Sequence, residues 1–470
     1  MITMQESARN NPLGSESIPK LIARFSVPAI ISMLVNALYN IVDQIFIGQG
    51  IGTNGIAATN IAFPLVTICT ALALLLGIGA ASNFSLLLGK KEPERASYVI
   101  GNALTAMLIC SGVLLVLAMV FLEPMLVFFG ATADVMVYAR PYTLITNIGI
   151  PFLIFTTGGC HIIRADGDPR FSMICLVSGA TFNFIFDPVF MFVFDMGIEG
   201  IALATTLSQV LTAVLAGFYM LRKFKSVPLR KQHLRLRLDY IRMLCTLGAA
   251  SFFNQIAMTV VQISLNNTLR HYGALSIYGS EIPLACVGVV SKLNVVFISI
   301  TIGIAQGCQP IIGYNYGAKQ YARVRKTYLY ALFLASITSV LAFLAFQLFP
   351  RQIISIFGTG SDLYFEFAIQ YLRVFMIMTF INGIQPVTAT FFTSIGKARL
   401  GIFMSLTRQV LVLLPLILIL PLFMGIDGIM YTGPIADVAA VTLAIVFALR
   451  ELKLLKGPEL PGASAMGKAA

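Results

Sequence analysis

The sequence predicts an all-α membrane protein: twelve transmembrane helices in two six-helix bundles related by a parallel pseudo-twofold repeat. Three observations carry this. Hydrophobic residues make up 58% of the chain and charged residues only 11%, where an average soluble domain is roughly a quarter charged. Apolar stretches of about 20 residues or more, enough to cross a bilayer as helices, recur between short polar breaks. The chain also reads as a tandem duplication. Gly197-Ile198-Glu199-Gly200-Ile201 returns 228 residues on as Gly425-Ile426-Asp427-Gly428-Ile429, each time opening a long apolar run.

The first 19 residues are polar and lack the apolar core of a cleaved signal peptide, so the first span is expected to stay in the protein. Spans follow at about 20–46, 56–82, 96–122, 137–163, 172–194 and 198–222. Arg164 through Arg170 is a turn closed by Gly167 and Pro169. Asp195 and Glu199 flank a short turn as solvated or helix-starting acids. The longest charged stretch, Arg222 through Arg237, leads into spans at about 239–269, 283–313, 325–349, 366–393, 400–424 and 427–450.

Landmarks of the first half recur in the second. Gly79 returns as Gly307, and Gly89, Lys91 and Arg95 as Gly317, Lys319 and Arg323. Gly167 and Arg170 return as Gly396 and Arg399, and Tyr138-Ala139-Arg140 as Tyr371-Leu372-Arg373. Val42-Asp43-Gln44-Ile45 aligns with Val260-Val261-Gln262-Ile263 at the shorter offset of 218, so the second half has about ten extra residues in the loop Tyr272–Pro283. The expected segments are a tail 1–19, an N-lobe 20–222, a basic linker 223–238, a C-lobe 239–450 and a tail 451–470.

The formal charge of +12 suggests nucleic acid, but its distribution does not. Lys90, Lys91, Arg95, Arg164, Arg170, the run Arg222–Arg237, Lys319–Lys326, Lys397 and Arg399 all fall on one side of the spans. The other side holds little beyond Arg140, Arg270 and Arg351. That is the positive-inside pattern, with both termini cytoplasmic and the chain in a cytoplasmic (inner) membrane. Period-2 alternation is missing, which argues against a barrel. The seven cysteines lie in or beside apolar spans without metal spacing and read as small buried residues. No GxxxxGK[ST] occurs and no loop is long enough to bury a core, so neither ATP-driven pumping nor an enzyme activity is expected, and no cofactor.

A charge at the bilayer centre costs at least about 2.5–3.5 kcal/mol and needs a reason. Asp43 lies in the first span, near Asn36, Asn40 and Gln44. Asp187 lies in the fifth, four residues after Asn183, so amide and carboxylate share a helix face. Pro188 cannot donate to residue 184, which frees the Phe184 carbonyl and kinks the helix. Together these groups can hold a proton or a small hard cation such as Na⁺. Two bland roles stand beside this: Asp187 as a cap on a Pro-kinked helix, and Asp43 as an interfacial residue. His161 reads as structural. In the second half Pro415, Leu411 and Val261 replace Asp187, Asn183 and Asp43. Arg408 is placed to snorkel, while Lys292 and Asp437 either pair with one another or line a cavity.

Several of these residues resemble the multidrug and toxic compound extrusion (MATE) family. They are Val42-Asp43-Gln44-Ile45-Phe46-Ile47-Gly48, the run Gly307-Cys308-Gln309-Pro310-Ile311-Ile312-Gly313-Tyr314-Asn315-Tyr316-Gly317, and the turn Arg164–Arg170. The resemblance spans roughly 18 to 450 and is nearest the bacterial multidrug-exporter branch. It implies export of drug-like, often cationic and amphipathic compounds by antiport against H⁺ or Na⁺, through alternating access between two lobes. It further implies a cation site at Asp43, Asn183 and Asp187, with Tyr142 and Thr205 joining by position. Gln44, Asn36, Lys292 and Asp437 are candidate cavity-lining groups. Acids that some relatives have in the seventh and tenth spans are missing here, where Gln255, Gln262, Asn382 and Gln385 stand. The expected partners are small molecules and the bilayer, with a functional monomer and no nucleic acid. The alternative is a flippase for a lipid-linked precursor, which calls for a basic cavity from Lys292, Arg373 and Arg408.

Overall fold

A computed structural model describes residues 11–357 and 361–455; the outer parts of both expected tails, 1–10 and 456–470, lie outside the described residues. The helices match the apolar stretches closely. Ten are long and apolar enough to cross a membrane, and two bent pairs bring the number of spans to twelve.

The first half comprises α1 (Ile18–Gly50), α2 (Thr53–Gly89), α3 (Pro93–Val120), α4 (Ala133–Ile148 and Ile150–Ala165), α5 (Pro169–Pro188) and α6 (Gly197–Phe218). The second comprises α7 (Leu238–Ala274), α8 (Glu281–Gly317), α9 (Tyr321–Leu348), α10 (Asp362–Phe375 and Thr379–Ser394), α11 (Ala398–Leu406 and Leu414–Met424) and α12 (Ile426–Leu454). The two bent spans, α4 by 52° and α10 by 44°, occupy corresponding places in the halves. In α4 the break falls at Gly149 with Pro151 just beyond, a proline at a helix start where its missing donor costs nothing. Wider π turns extend α5 (Val189–Val193) and α6 (Tyr219–Lys223) and interrupt α11 (Thr407–Leu413).

The halves meet where α2 packs on α7 and α1 on α8. The repeated glycines explain the closeness. A Cβ on Gly79 would overlap the Leu244 carbonyl oxygen of α7, and one on its repeat partner Gly307 would overlap Ser26 of α1. Gly89 and Gly317 face one another reciprocally, each leaving no room for a Cβ against the other helix's backbone. In Thr301–Gly317 of α8 no residue is exposed, whereas Leu284 and Val295 nearer the other end are 39% and 48% exposed. The seam is therefore shut at the end that carries the basic loops. Every side-chain hydrogen bond between the halves, among the described residues, lies there too. Gln309 Nε2 donates to Ser82 Oγ (2.7 Å), Asn83 Nδ2 to the Met243 carbonyl (2.9 Å), and Arg164 Nη1 to Gln306 Oε1.

The N-terminal tail and the basic linker are folded onto the bundles in their described parts. Asn315 and Arg323 donate to the Leu13 carbonyl (2.9 and 3.1 Å), docking residues before α1 onto the second half. The basic linker lies against the first half, with His233 buried and its carbonyl accepting from Asn102 Nδ2 at 3.3 Å. The Arg237 guanidinium sits over the rings of Tyr98 and Tyr240. Asp166, in the turn after α4, accepts from Tyr219 Oη (2.8 Å) and Ser226 N (3.1 Å). Burial raises the Asp166 carboxyl above its ordinary value, and these donors offset part of the rise.

Candidate functional site

The two acids read from the sequence meet inside the first half. α1 packs against α5, and the Asp43 and Asp187 carboxyl groups lie within hydrogen-bonding reach of each other. Two carboxylates this close can share one proton or jointly face one cation. Asn183, one turn before Asp187 on the same face of α5, donates from Nδ2 to Asp187 Oδ1 at 2.8 Å and to Thr205 Oγ1 of α6 at 3.3 Å. Asp187 and Asn183 are 1% and 2% exposed. Asp43 Oδ1 is buried and has no hydrogen-bond partner, an unmet acceptor of the kind a proton or cation satisfies. Tyr142 of α4 lies near enough to both acids for their charges to reach its hydroxyl, and Thr205 is 9% exposed, so the five candidates for the cation site fall in one region of the first half.

Tyr39 joins them and was not singled out from the sequence. It lies four residues before Asp43 on α1, the same one-turn spacing that links Asn183 to Asp187, and that spacing was the signal available. α5 runs unbroken through Pro188 as one span to Val193, widening into its π turn directly after the proline. Such single π turns within longer helices frequently mark functional positions. Among the described residues no group of three or more His, Cys, Asp or Glu could hold a metal ion. Two carboxyls, an amide and hydroxyls suit a proton or a monovalent hard cation.

The four cavity-lining candidates part company. Asn36 is exposed and accepts from Asn40 Nδ2 through its carbonyl (2.7 Å) and Oδ1 (3.1 Å). Gln44 donates to Thr59 of α2 (3.3 Å). Lys292 is exposed on α8. Asp437 does not pair with it. Arg408, placed from sequence as a snorkelling residue, instead turns inward, is 8% exposed, and donates from Nε to Asp437 Oδ1 at 2.6 Å. A buried guanidinium needs a carboxylate more than an exposed lysine does, and burial decides the partner. His161 and Arg164 are buried at the shut end of the seam, His161 Nδ1 lying 3.5 Å from Arg164 Nη2. Arg164 was counted from the sequence among the loop charges; it is a link between the halves.

Two six-helix bundles meeting at a seam, one of them enclosing a buried acidic cluster, define a multi-pass membrane transporter. Residues 28–189 and 250–419 match the MatE family, and the chain belongs to it. The multidrug export protein MepA of Staphylococcus aureus (strain MSSA476) is 25% identical over 443 residues, covering 94% of this chain and 96% of its own. MepA of Staphylococcus haemolyticus (strain JCSC1435) is 24% identical over 436 residues, covering 92% and 94%. The structure of the MATE multidrug transporter DinF-BH matches with a TM-score of 0.87 at 35% identity, covering 94% of this chain and 98% of its own. A MOP superfamily transporter from Pyrococcus furiosus shares the fold at 22% identity, with a TM-score of 0.87 over 96% and 98% of the two chains.

Proposed function

We propose that this transporter exports drug-like organic compounds across the bacterial cytoplasmic membrane by antiport against H⁺ or Na⁺. The observation that carries the reading is the facing pair Asp43 and Asp187, the second braced by Asn183, which also reaches Thr205, within one lobe. The names of its relatives, a multidrug export protein and a multidrug transporter, support the cargo class. The basic face, with both termini, is assigned to the cytoplasm. The conformation described is then shut to the cytoplasm.

Coupling requires that the ion and the cargo prefer different states. A cation at Asp43/Asp187 draws α1 and α5 together through groups on both. α1 also forms the seam through α8, so the same helix that binds the ion sets the packing between lobes. The export step is alternating access between the shut seam and its opposite.

Proteoliposomes with a fluorescent cationic dye test this, with a proton gradient and a sodium gradient imposed separately. Dye movement driven by one gradient and lost in Asp187→Asn supports the reading; movement indifferent to both gradients sinks it. The flippase alternative draws no support from the basic groups. The three do not gather into one basic cavity: Arg408 lies beside the acid Asp437, Arg373 donates to the Gln347 carbonyl, and Lys292 is exposed on another helix.

A further inference from the structure

We infer that the second half holds a subsite for a carboxyl group borne by an aromatic cargo molecule, built on the open edge of the Arg408 guanidinium. The first half places its acids on α1 and α5 and their hydroxyl partner on α6. The second half places Arg408 and Asp437 on α11 and α12, the helices that correspond to α5 and α6. One fold thus presents an acidic cluster in one lobe and a basic group in the other.

The π turn Thr407–Leu413 makes this possible. It widens α11 so that Arg408 and its neighbour Gln409 both point inward, 8% and 9% exposed. Arg408 uses only Nε toward Asp437, and among the described residues its two Nη groups have no hydrogen-bond partner. The guanidinium borders a half-open pocket of about 90 Å³, walled by α7 and α8, the helices that form this lobe's side of the seam. Three amides line it: Gln262 donates to Asn266 Oδ1 at 2.9 Å, while Asn294 and Gln409 make no side-chain hydrogen bond among the described residues. Asn294 Oδ1 is buried without a partner. Polar groups inside a protein are ordinarily paired, so a free guanidinium edge beside two unpaired amides is a set of groups awaiting an occupant.

The geometry selects the occupant. The paired Nη edge of a guanidinium matches the two oxygens of a carboxylate in a bidentate fork. Asn294, turned about its amide, can donate to the same group. Tyr371 and Phe375 close the pocket on the α10 side, and their rings suit an aromatic body attached to the carboxyl. The volume admits the carboxyl end of a larger molecule, with the remainder in the space between lobes.

The subsite deepens the exporter reading and rests on it only for the statement that the occupant is cargo. Fluorescence titration of the full chain in lipid nanodiscs tests it with two probes. Dansylglycine carries a carboxylate, and dansyl-ethylenediamine carries an amine in its place. The double variant Arg408→Gln/Asp437→Asn removes both charges together, so neither is left buried alone. It is expected to bind dansylglycine at least about tenfold more weakly and dansyl-ethylenediamine within about twofold of the wild type. Asn294→Leu, outside the ion pair, is expected to weaken dansylglycine at least about threefold. Equal weakening of both probes, no weakening, or no binding of dansylglycine by the wild type overturns the subsite. Binding is read without a gradient, so failure here leaves gradient-driven efflux standing. A chain that binds through Arg408 but does not pump fails the exporter reading alone.

Discussion

Asn183 holds Asp187 by a 2.8 Å hydrogen bond within one turn of α5, while the Asp43 carboxyl that faces Asp187 keeps a buried oxygen with no partner. The first acid is braced and the second is left wanting. A site arranged this way can change occupancy at Asp43 without moving the helix that carries Asp187.

Asp187→Asn is therefore expected to remove coupling. The amide keeps the shape and can still meet Asn183, but it can neither share a proton with Asp43 nor neutralise a cation. Gradient-driven dye efflux should fall at least about tenfold, with normal membrane insertion by fluorescence of a fused reporter. Asn183→Leu should be milder in kind, because it leaves the Asp187 carboxyl in place but unbraced, at a cost of about 1–3 kcal/mol for the orphaned acceptor. Wild-type efflux by Asp187→Asn would remove the acid from the mechanism.

Tyr39→Phe tests the residue that the geometry adds. The ring remains to pack, and only the hydroxyl beside the two acids is lost. The ion concentration for half-maximal transport should rise about three- to tenfold, roughly the net value of one ordinary hydrogen bond, while the maximal rate holds. A change in maximal rate with unchanged ion dependence would assign Tyr39 to gating instead.

Much of this was legible in the sequence, and the reasons are physical. Helix spans follow from unbroken apolar length, so all twelve could be read. The braced acid could be read because Asn183 and Asp187 sit one turn apart on a single helix. Relations between distant helices were less open. The Arg408–Asp437 pair links residues 29 apart across two spans. The inward turn of Arg408 depends on a π turn that no hydropathy pattern announces. Arg164 looked like one loop charge among many because its partner, Gln306, is 142 residues away. The duplication did point to the seam: Gly79, Gly89, Gly307 and Gly317, found as repeat landmarks, are the residues over which the halves close.

Those glycines carry the next expectation. Gly317→Val puts a branched side chain where Leu86 and Gly89 of α2 leave no room, so the shut arrangement becomes strained while an open seam is unaffected. Amide hydrogen exchange across Leu86–Gly89 should rise at least about tenfold, and efflux should fall with it. Unchanged protection in that segment, with full transport, would mean that the seam does not close at this contact during the cycle.

Asp166 gives the prediction with a pH sign. It lies in the turn after α4 and fastens the start of the linker through Tyr219, Lys225 and Ser226. Its carboxyl is raised from the ordinary 3.8, chiefly by burial. A carboxyl whose folded value exceeds its unfolded value binds its proton earlier in the folded chain. The folded state therefore gains stability as pH falls through the window from the raised value to 3.8, and loses it again as pH rises through the same window. Asp166→Asn cannot titrate, so the difference in thermal midpoint, wild type minus variant, should increase on acidification toward about pH 4. The measurement is a denaturation series in detergent across that window, with every other titrating group common to both proteins. A difference that stays flat with pH would mean that burial does not govern Asp166, and that the linker is held at this point by the hydrogen bonds alone.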